Sequence, residues 1–260
     1  MTPDEKSKKL TQYYYLIKDC SQCDLAASRT KFVFGSGNAN SKIMFVGEAP
    51  GKNEDLQGKP FVGQAGKLLD ELLDLIGYKR TEIFIANVLK CRPPQNRDPK
   101  QEEINLCSQY LFEQIEIIDP LIICTLGKYS TQLILGIDKS ITGLRGRVFK
   151  REGRYILPIN HPAAALYAPS RFEILKNDFI RIEKVISVIK TGNSDSLMSI
   201  EDCSGFTSER KSSEEEEDLK AEEKSVCDNI KKPIDENIDE NISEDAAKDN
   251  DFRSEQMGLF

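Results

Sequence analysis

Tryptophan is absent from this 260-residue chain, and histidine occurs once, as His161. A lone histidine excludes any His-rich metal site. No run reaches the roughly 18 apolar residues of a membrane span. The opening Met1-Thr2-Pro3-Asp4-Glu5-Lys6 has none of the apolar stretch of a secretory signal. A cytoplasmic, reducing setting is therefore expected, where the seven cysteines point to metal binding or catalysis ahead of disulfides. No repeat of fixed period is found either.

Charge is unevenly spread. Residues 191–260 carry 21 acidic and 8 basic side chains, which leaves 28 basic and 22 acidic ones in residues 1–190. The formal net charge of −7 thus conceals a basic body and an acidic tail. A body of that length can bury one good core, and its basicity suits a nucleic-acid partner although the whole chain is acidic. The tail is dominated by Ser, Glu, Asp, Asn and Lys, with an unbroken acidic run at Glu214–Glu217. Such a composition buries too little apolar surface to offset its ordering entropy. Residues 1–190 are expected to form the domain and 191–260 to be disordered.

Within the body, short apolar runs alternate with helical periodicities. Helices are expected over Glu5–Lys18, Gln64–Ile76, Lys100–Ile118, Gly127–Leu135 and Arg171–Lys190. Strands are expected at Ile43–Val46, Ile83–Val88 and Leu121–Leu126, with Arg147–Lys150 and Tyr155–Ile159 as a hairpin or last strand. Glu48–Gly63 and Lys90–Pro99 read as loops. The alternation implies an α/β fold, a parallel sheet sandwiched by helices. In such sheets ligands bind at the carboxyl ends of the strands. Gly47-Glu48, Asn87 and His161 all fall there and should converge.

Four thiols sit in the body beside loops or helix starts, as Cys20-x2-Cys23 and Cys91-x15-Cys107. Thiolates suit zinc or iron–sulfur, and the spacing does not divide the two. It also admits four unrelated cysteines, because the second Cys-x-x-Cys of a zinc ribbon is missing. Cys124 lies inside an apolar strand and reads as a small core residue. Cys203 and Cys227, in the tail, read as incidental.

The stretch Gly47-Glu48-Ala49-Pro50-Gly51, continuing through Glu54-Asp55 to Gly58-Lys59-Pro60-Phe61-Val62-Gly63, resembles the first motif of family 4 uracil-DNA glycosylases, the iron–sulfur members of their superfamily. Asn87-Val88-Leu89-Lys90-Cys91-Arg92-Pro93-Pro94, Asn96-Arg97-Asp98-Pro99 and His161-Pro162-Ala163-Ala164 follow in matching order. The resemblance covers residues 10–190. It implies a three-layer α/β/α sandwich on a short, mainly parallel sheet and a monofunctional enzyme that excises uracil from DNA to start base excision repair. It also implies one [4Fe-4S] cluster held by Cys20, Cys23, Cys91 and Cys107, structural rather than redox-active.

A glycosylase must take the base out of the stack, recognise it and stabilise charge as the N-glycosidic bond breaks. Phe61 is the expected stacking platform, read as exposed in its loop, although burial statistics alone favour a core phenylalanine. Asn87 offers an acceptor and donors that match uracil N3–H and O4 and mismatch cytosine. His161 is expected to donate to uracil O2 as negative charge develops. Gly47, Glu48 and Ala49 are expected to shape the pocket, with Glu48 also counted among the catalytic residues. Ala49 stands where related families place a water-activating Asp, so a dissociative path is expected. Glu54 is a candidate for crowding the C5 edge against thymine or for placing water. Lys90, Arg92, Arg97, Arg145, Arg147 and Arg171 are candidate phosphate contacts, and Ala164–Tyr167 a candidate wedge into the stack.

Two other readings remain at this point: a glycosylase for other deaminated bases such as hypoxanthine, and a noncatalytic nucleic-acid-binding protein on a metal scaffold. A monomer is expected. The chain closes with Gln256-Met257-Gly258-Leu259-Phe260, which resembles the bacterial sliding-clamp-binding motif at Gln256, Leu259 and Phe260 and departs from it at Gly258. The clamp is the expected partner besides uracil-containing DNA, with the acidic tail as tether.

Overall fold

The computed structural model describes residues 1–166, 168–191 and 200–202. Its helices and strands run in the order α1 (Pro3–Ile17), α2 (Leu25–Ser28), β1 (Ser36–Gly37), β2 (Ile43–Gly47), α3 (Lys52–Gln57), α4 (Gln64–Leu75) and β3 (Phe84–Asn87). There follow α5 (Gln101–Ile118), β4 (Ile122–Leu126), α6 (Lys128–Leu135), α7 (Ile141–Leu144), β5 (Val148–Arg151), β6 (Arg154–Ile159), α8 (Pro169–Thr191) and β7 (Ile200–Asp202). The sheet order is β1-β3-β2-β4-β6-β5-β7. β3, β2, β4 and β6 are mutually parallel, while β1 and β5 pair antiparallel with β3 and β6.

Alternation along the strands builds two cores. Ile43 and Phe45 of β2, Ile85 of β3 and Cys124 of β4 face α4 and α8. Met44 and Val46, Phe84 and Ala86, and Ile123 face the opposite side, against α1, α5 and α6. Every residue of β2, β3 and β4 is buried, as expected for parallel strands covered on both faces. α4 presents Leu68, Leu69, Leu72 and Leu73 to the sheet, one stripe at helical spacing. On the same side Phe179 of α8 stacks on Phe45 with ring centroids 5.5 Å apart. The result is the three-layer α/β/α sandwich on a mainly parallel sheet. Among the described residues no helix is long and apolar enough to cross a membrane.

One local expectation is corrected, and two short strands are added to those expected. The loop expected at Glu48–Gly63 contains α3, six residues with Gly51 at its start and a left-handed Gly58 (φ 75°) at its end. It escapes detection because its side chains lack an apolar stripe: Leu56 is exposed and the buried member is Asp55. Asp55 Oδ1 instead accepts the Thr30 N–H at 2.8 Å. Ser36–Gly37 form β1, too short for any periodicity. Ile200–Asp202, inside the stretch expected to be disordered, run parallel to β5 as β7. A strand at a sheet edge is held by backbone pairing, which composition does not report.

After β3 the chain crosses to β4 on the other side of β2, so the order reverses beside β2. Such a reversal opens a crevice at the carboxyl ends of the strands. Gly47 and Asn87 are register partners at that edge.

Candidate active site

The glycine that ends β2 allows two side chains to meet. A Cβ on Gly47 would lie 2.3 Å from Asn87 Oδ1 and 2.7 Å from the Phe61 ring edge. Asn87 closes β3, is 2% exposed, and its Oδ1 is a buried acceptor without a hydrogen-bond partner among the described residues. A buried acceptor that stays unpaired costs about 1–3 kcal/mol, so Oδ1 is a ready acceptor for a donor that reaches it. From below, Lys90 Nζ donates to the Asn87 carbonyl at 2.9 Å and to Gln114 Oε1 at 2.6 Å. Gln114 in turn donates to the Phe34 carbonyl at 2.9 Å. Lys90 is therefore fully buried and is removed from the candidate phosphate contacts.

The Phe61 ring is also buried, at 5% exposure, against the expectation of an exposed platform. Its backbone adopts φ 52°, a left-handed conformation rare for an aromatic residue. That turns the ring inward, where it stacks on His161 with centroids 5.5 Å apart and planes 27° apart. His161 caps the 3₁₀ turn Pro162–Ala165, which packs on α4 and α8. Its Nδ1 accepts the Ala163 N–H at 3.2 Å, so in the neutral ring the proton sits on Nε2. Burial pushes the imidazole down to about 4, opposed by the nearby Glu54 charge, and His161 is neutral at physiological pH. The unfolded chain takes up that proton nearer 6.5, so this group costs stability as pH falls between those values.

Glu54 does not stand free at the rim. Its Oε1 accepts the N–H groups of Val62 and Gly63, each at 2.9 Å, and so anchors the loop that carries Phe61. Glu48 belongs to a neighbouring group. Burial raises its carboxyl to about 7, the Asp98 charge adds to the rise and Lys128 opposes it. Asp98 Oδ2 accepts the Tyr129 hydroxyl at 2.8 Å. Gly47, Phe61, Asn87 and His161 thus form one contiguous cluster, with Glu48 and Ala49 half-buried beside it. Among the candidate phosphate contacts, Arg97 is paired with Glu103 and Arg145 with Asp178 at 2.7 Å. Arg92 Nε donates to Asn96 Oδ1 at 2.7 Å.

Sequence reasoning passed over Gly127. It follows β4 as Gly47 ends β2, has φ 98°, and a Cβ there would lie 3.3 Å from His161 Cβ. A glycine at the carboxyl end of a parallel strand was the available signal.

Residues 34–183 match the family model described as the uracil DNA glycosylase superfamily. The type-4 uracil-DNA glycosylase of Sulfurisphaera tokodaii is 48% identical over 178 residues, which cover 65% of this chain and 81% of that protein. Its counterpart in Archaeoglobus fulgidus is 46% identical over 174 residues, 64% of this chain and 87% of that protein. The Saccharolobus solfataricus protein of the same name is 46% identical over 180 residues, 66% and 83% of the two chains. The chain belongs to the type-4 uracil-DNA glycosylase family.

In this type-4 chain the four body cysteines line one pocket of about 320 Å³, counted with its open mouth, together with Arg29, Phe32, Leu89 and Tyr110. All four thiols are free of disulfides. Three sulfurs accept hydrogen bonds: Cys20 from the Tyr110 hydroxyl at 3.1 Å, Cys91 from Arg29 at 3.4 Å, and Cys107 from the Lys90 N–H at 3.3 Å. Among the described residues no three His, Cys, Asp or Glu side chains are placed to hold a single metal ion. Cys124 lies elsewhere, fully buried on β4, where burial raises its thiol.

Proposed function

We propose that this protein is a monofunctional uracil-DNA glycosylase that acts on uracil flipped out of DNA and starts base excision repair. The observation that carries the reading is the unpaired, buried Asn87 Oδ1 beside Gly47 and Phe61. Uracil N3–H supplies the missing donor, and the Asn87 amide N–H meets O4. Cytosine presents an acceptor and a donor in the reverse order and leaves both groups unsatisfied. The Phe61 ring, fixed by its loop, offers an apolar surface to the base.

Bond cleavage leaves negative charge on the uracil ring and positive charge on the sugar. His161 donates from Nε2 to O2 as a neutral imidazole, which stabilises the departing base without carrying charge into the resting site. Water then adds at the sugar carbon and loses a proton to solvent, from which the departed uracil anion is in turn protonated to free uracil. Ala49 supplies no carboxylate to activate that water, in keeping with a dissociative path. As a carboxylate, Glu48 favours the positive sugar electrostatically. Any inflection near neutrality should therefore belong to Glu48 rather than to His161, with the rate rising with pH through about 7. A single-turnover pH profile of wild type and Glu48→Gln checks this; the variant should be flat across that range.

Cys20, Cys23, Cys91 and Cys107 fit a [4Fe-4S] cluster: they are four free thiols around one cavity, and three already accept hydrogen bonds of the kind that stabilise cluster sulfurs. When bound, the cluster supplies a covalent cross-link between the N-terminal segment and the loop that carries Cys91. DNA affinity is drawn from the net positive charge of residues 1–190. Gln256–Phe260 and Tyr167 lie outside the described residues. The clamp-binding reading of the terminus rests on its sequence.

The deciding experiment is an assay on uracil-containing and matched cytosine-containing oligonucleotides with aerobically purified protein. Release of free uracil, an abasic product and a brown preparation are expected. Intact uracil oligonucleotide would sink the function, and a colourless active preparation the cluster.

A further inference from the structure

The Phe61 ring can serve the site only if its backbone is held in a conformation that an aromatic residue resists. A left-handed φ at a non-glycine residue is unfavourable and persists only where the surroundings over-determine it. The N–H groups after Phe61 are held by Glu54, as described. On the other side a single guanidinium gathers the carbonyls. Arg80 Nη1 donates to Pro60 O at 3.2 Å, and its Nη2 donates to Phe61 O and, at 3.3 Å, to Gly66 O in the first turn of α4. Its Nε pairs with Asp70 on the same helix.

We infer that Arg80 is a positioning residue for uracil excision: its fork fixes the Pro60 and Phe61 carbonyls, and through the Phe61 ring it sets the placement of His161. The inference deepens the glycosylase reading and rests on Phe61 being the base platform. Chemistry favours arginine for the task. A guanidinium spreads five donors in a rigid plane and reaches three carbonyls and a carboxylate together, whereas a lysine ammonium is a compact point charge on a flexible stem. The approach of α4 is equally specific. A Cβ on Gly66 would lie 1.8 Å from Phe61 O, so the helix and the strained residue touch backbone to backbone with Arg80 bridging them. Arg80 acts through other residues: every partner named here is a backbone carbonyl or the Asp70 carboxylate.

The single histidine supplies a direct readout. In the intact, cluster-loaded protein labelled at histidine, one imidazole gives one set of resonances, displaced by the ring current of Phe61 stacked on it. Arg80→Gln and Arg80→Lys should both move those resonances toward free-imidazole values. They should lower the single-turnover excision rate at saturating DNA by roughly 10²-fold, the scale of a misplacement near 1 Å, and leave DNA affinity within about twofold because phosphate contacts dominate it. Asp70→Asn, at a half-exposed position, should shift both readouts in the same direction by less, and it keeps the test open if the Arg80 variants fold poorly. Unmoved imidazole resonances, or a wild-type rate, in well-folded variants would overturn the inference. Failure of the glycosylase reading looks different: the wild type itself would release no uracil, while the imidazole shifts would still report on the Arg80 fork.

Discussion

Asn87→Ala should lower uracil excision by about 10²–10³-fold, the loss seen when one preorganised hydrogen-bonding group is removed from a reacting site. The substitution deletes the buried Oδ1 and the amide N–H together, so uracil loses recognition at N3 and O4. Folding should suffer little. The wild-type Oδ1 is already unpaired, so no internal hydrogen bond of that atom is lost, and the backbone carbonyl still accepts from Lys90. Single-turnover excision and DNA binding measured side by side check this. A rate within threefold of wild type would remove Asn87 from recognition.

Gly47→Ala should be as damaging by another route. One methyl group would meet Asn87 Oδ1 at 2.3 Å and the Phe61 ring at 2.7 Å, distances that real Cβ atoms do not show. Neither neighbour can yield freely: Asn87 lies in the register of β3, and the Phe61 backbone is gripped on both sides. The expected outcome is a stability loss of about 1–3 kcal/mol from overpacking and excision reduced at least as far as in Asn87→Ala. Thermal unfolding and the same kinetic assay measure the two effects. Unchanged activity would mean that Asn87 and Phe61 need not hold their observed positions.

The frame of the site was legible because parallel strands are short, continuous apolar runs, and the residues that end them announce themselves. Gly47, Asn87 and His161 were placed at strand ends from that pattern and they do gather at one edge of the sheet. Bonds from a side chain to a distant backbone left no such trace. Nothing periodic links Arg80 to Pro60, or Glu54 to Gly63, and so the inward turn of Phe61 was read as exposure. Lys90 was misread for a related reason. A lysine beside a motif suggests phosphate, whereas its neighbours supply two acceptors that let it be buried. The short pieces β1 and β7 exist through pairing alone, which composition cannot express.

The buried Lys90 has one more consequence. Its N–H reaches the sulfur of Cys107 and its ammonium holds the carbonyl of Asn87. The cysteine-lined pocket and the backbone of Asn87 are therefore tied to the same residue. On the proposed function, a disturbance at Cys107 would reach the Asn87 backbone through this one residue.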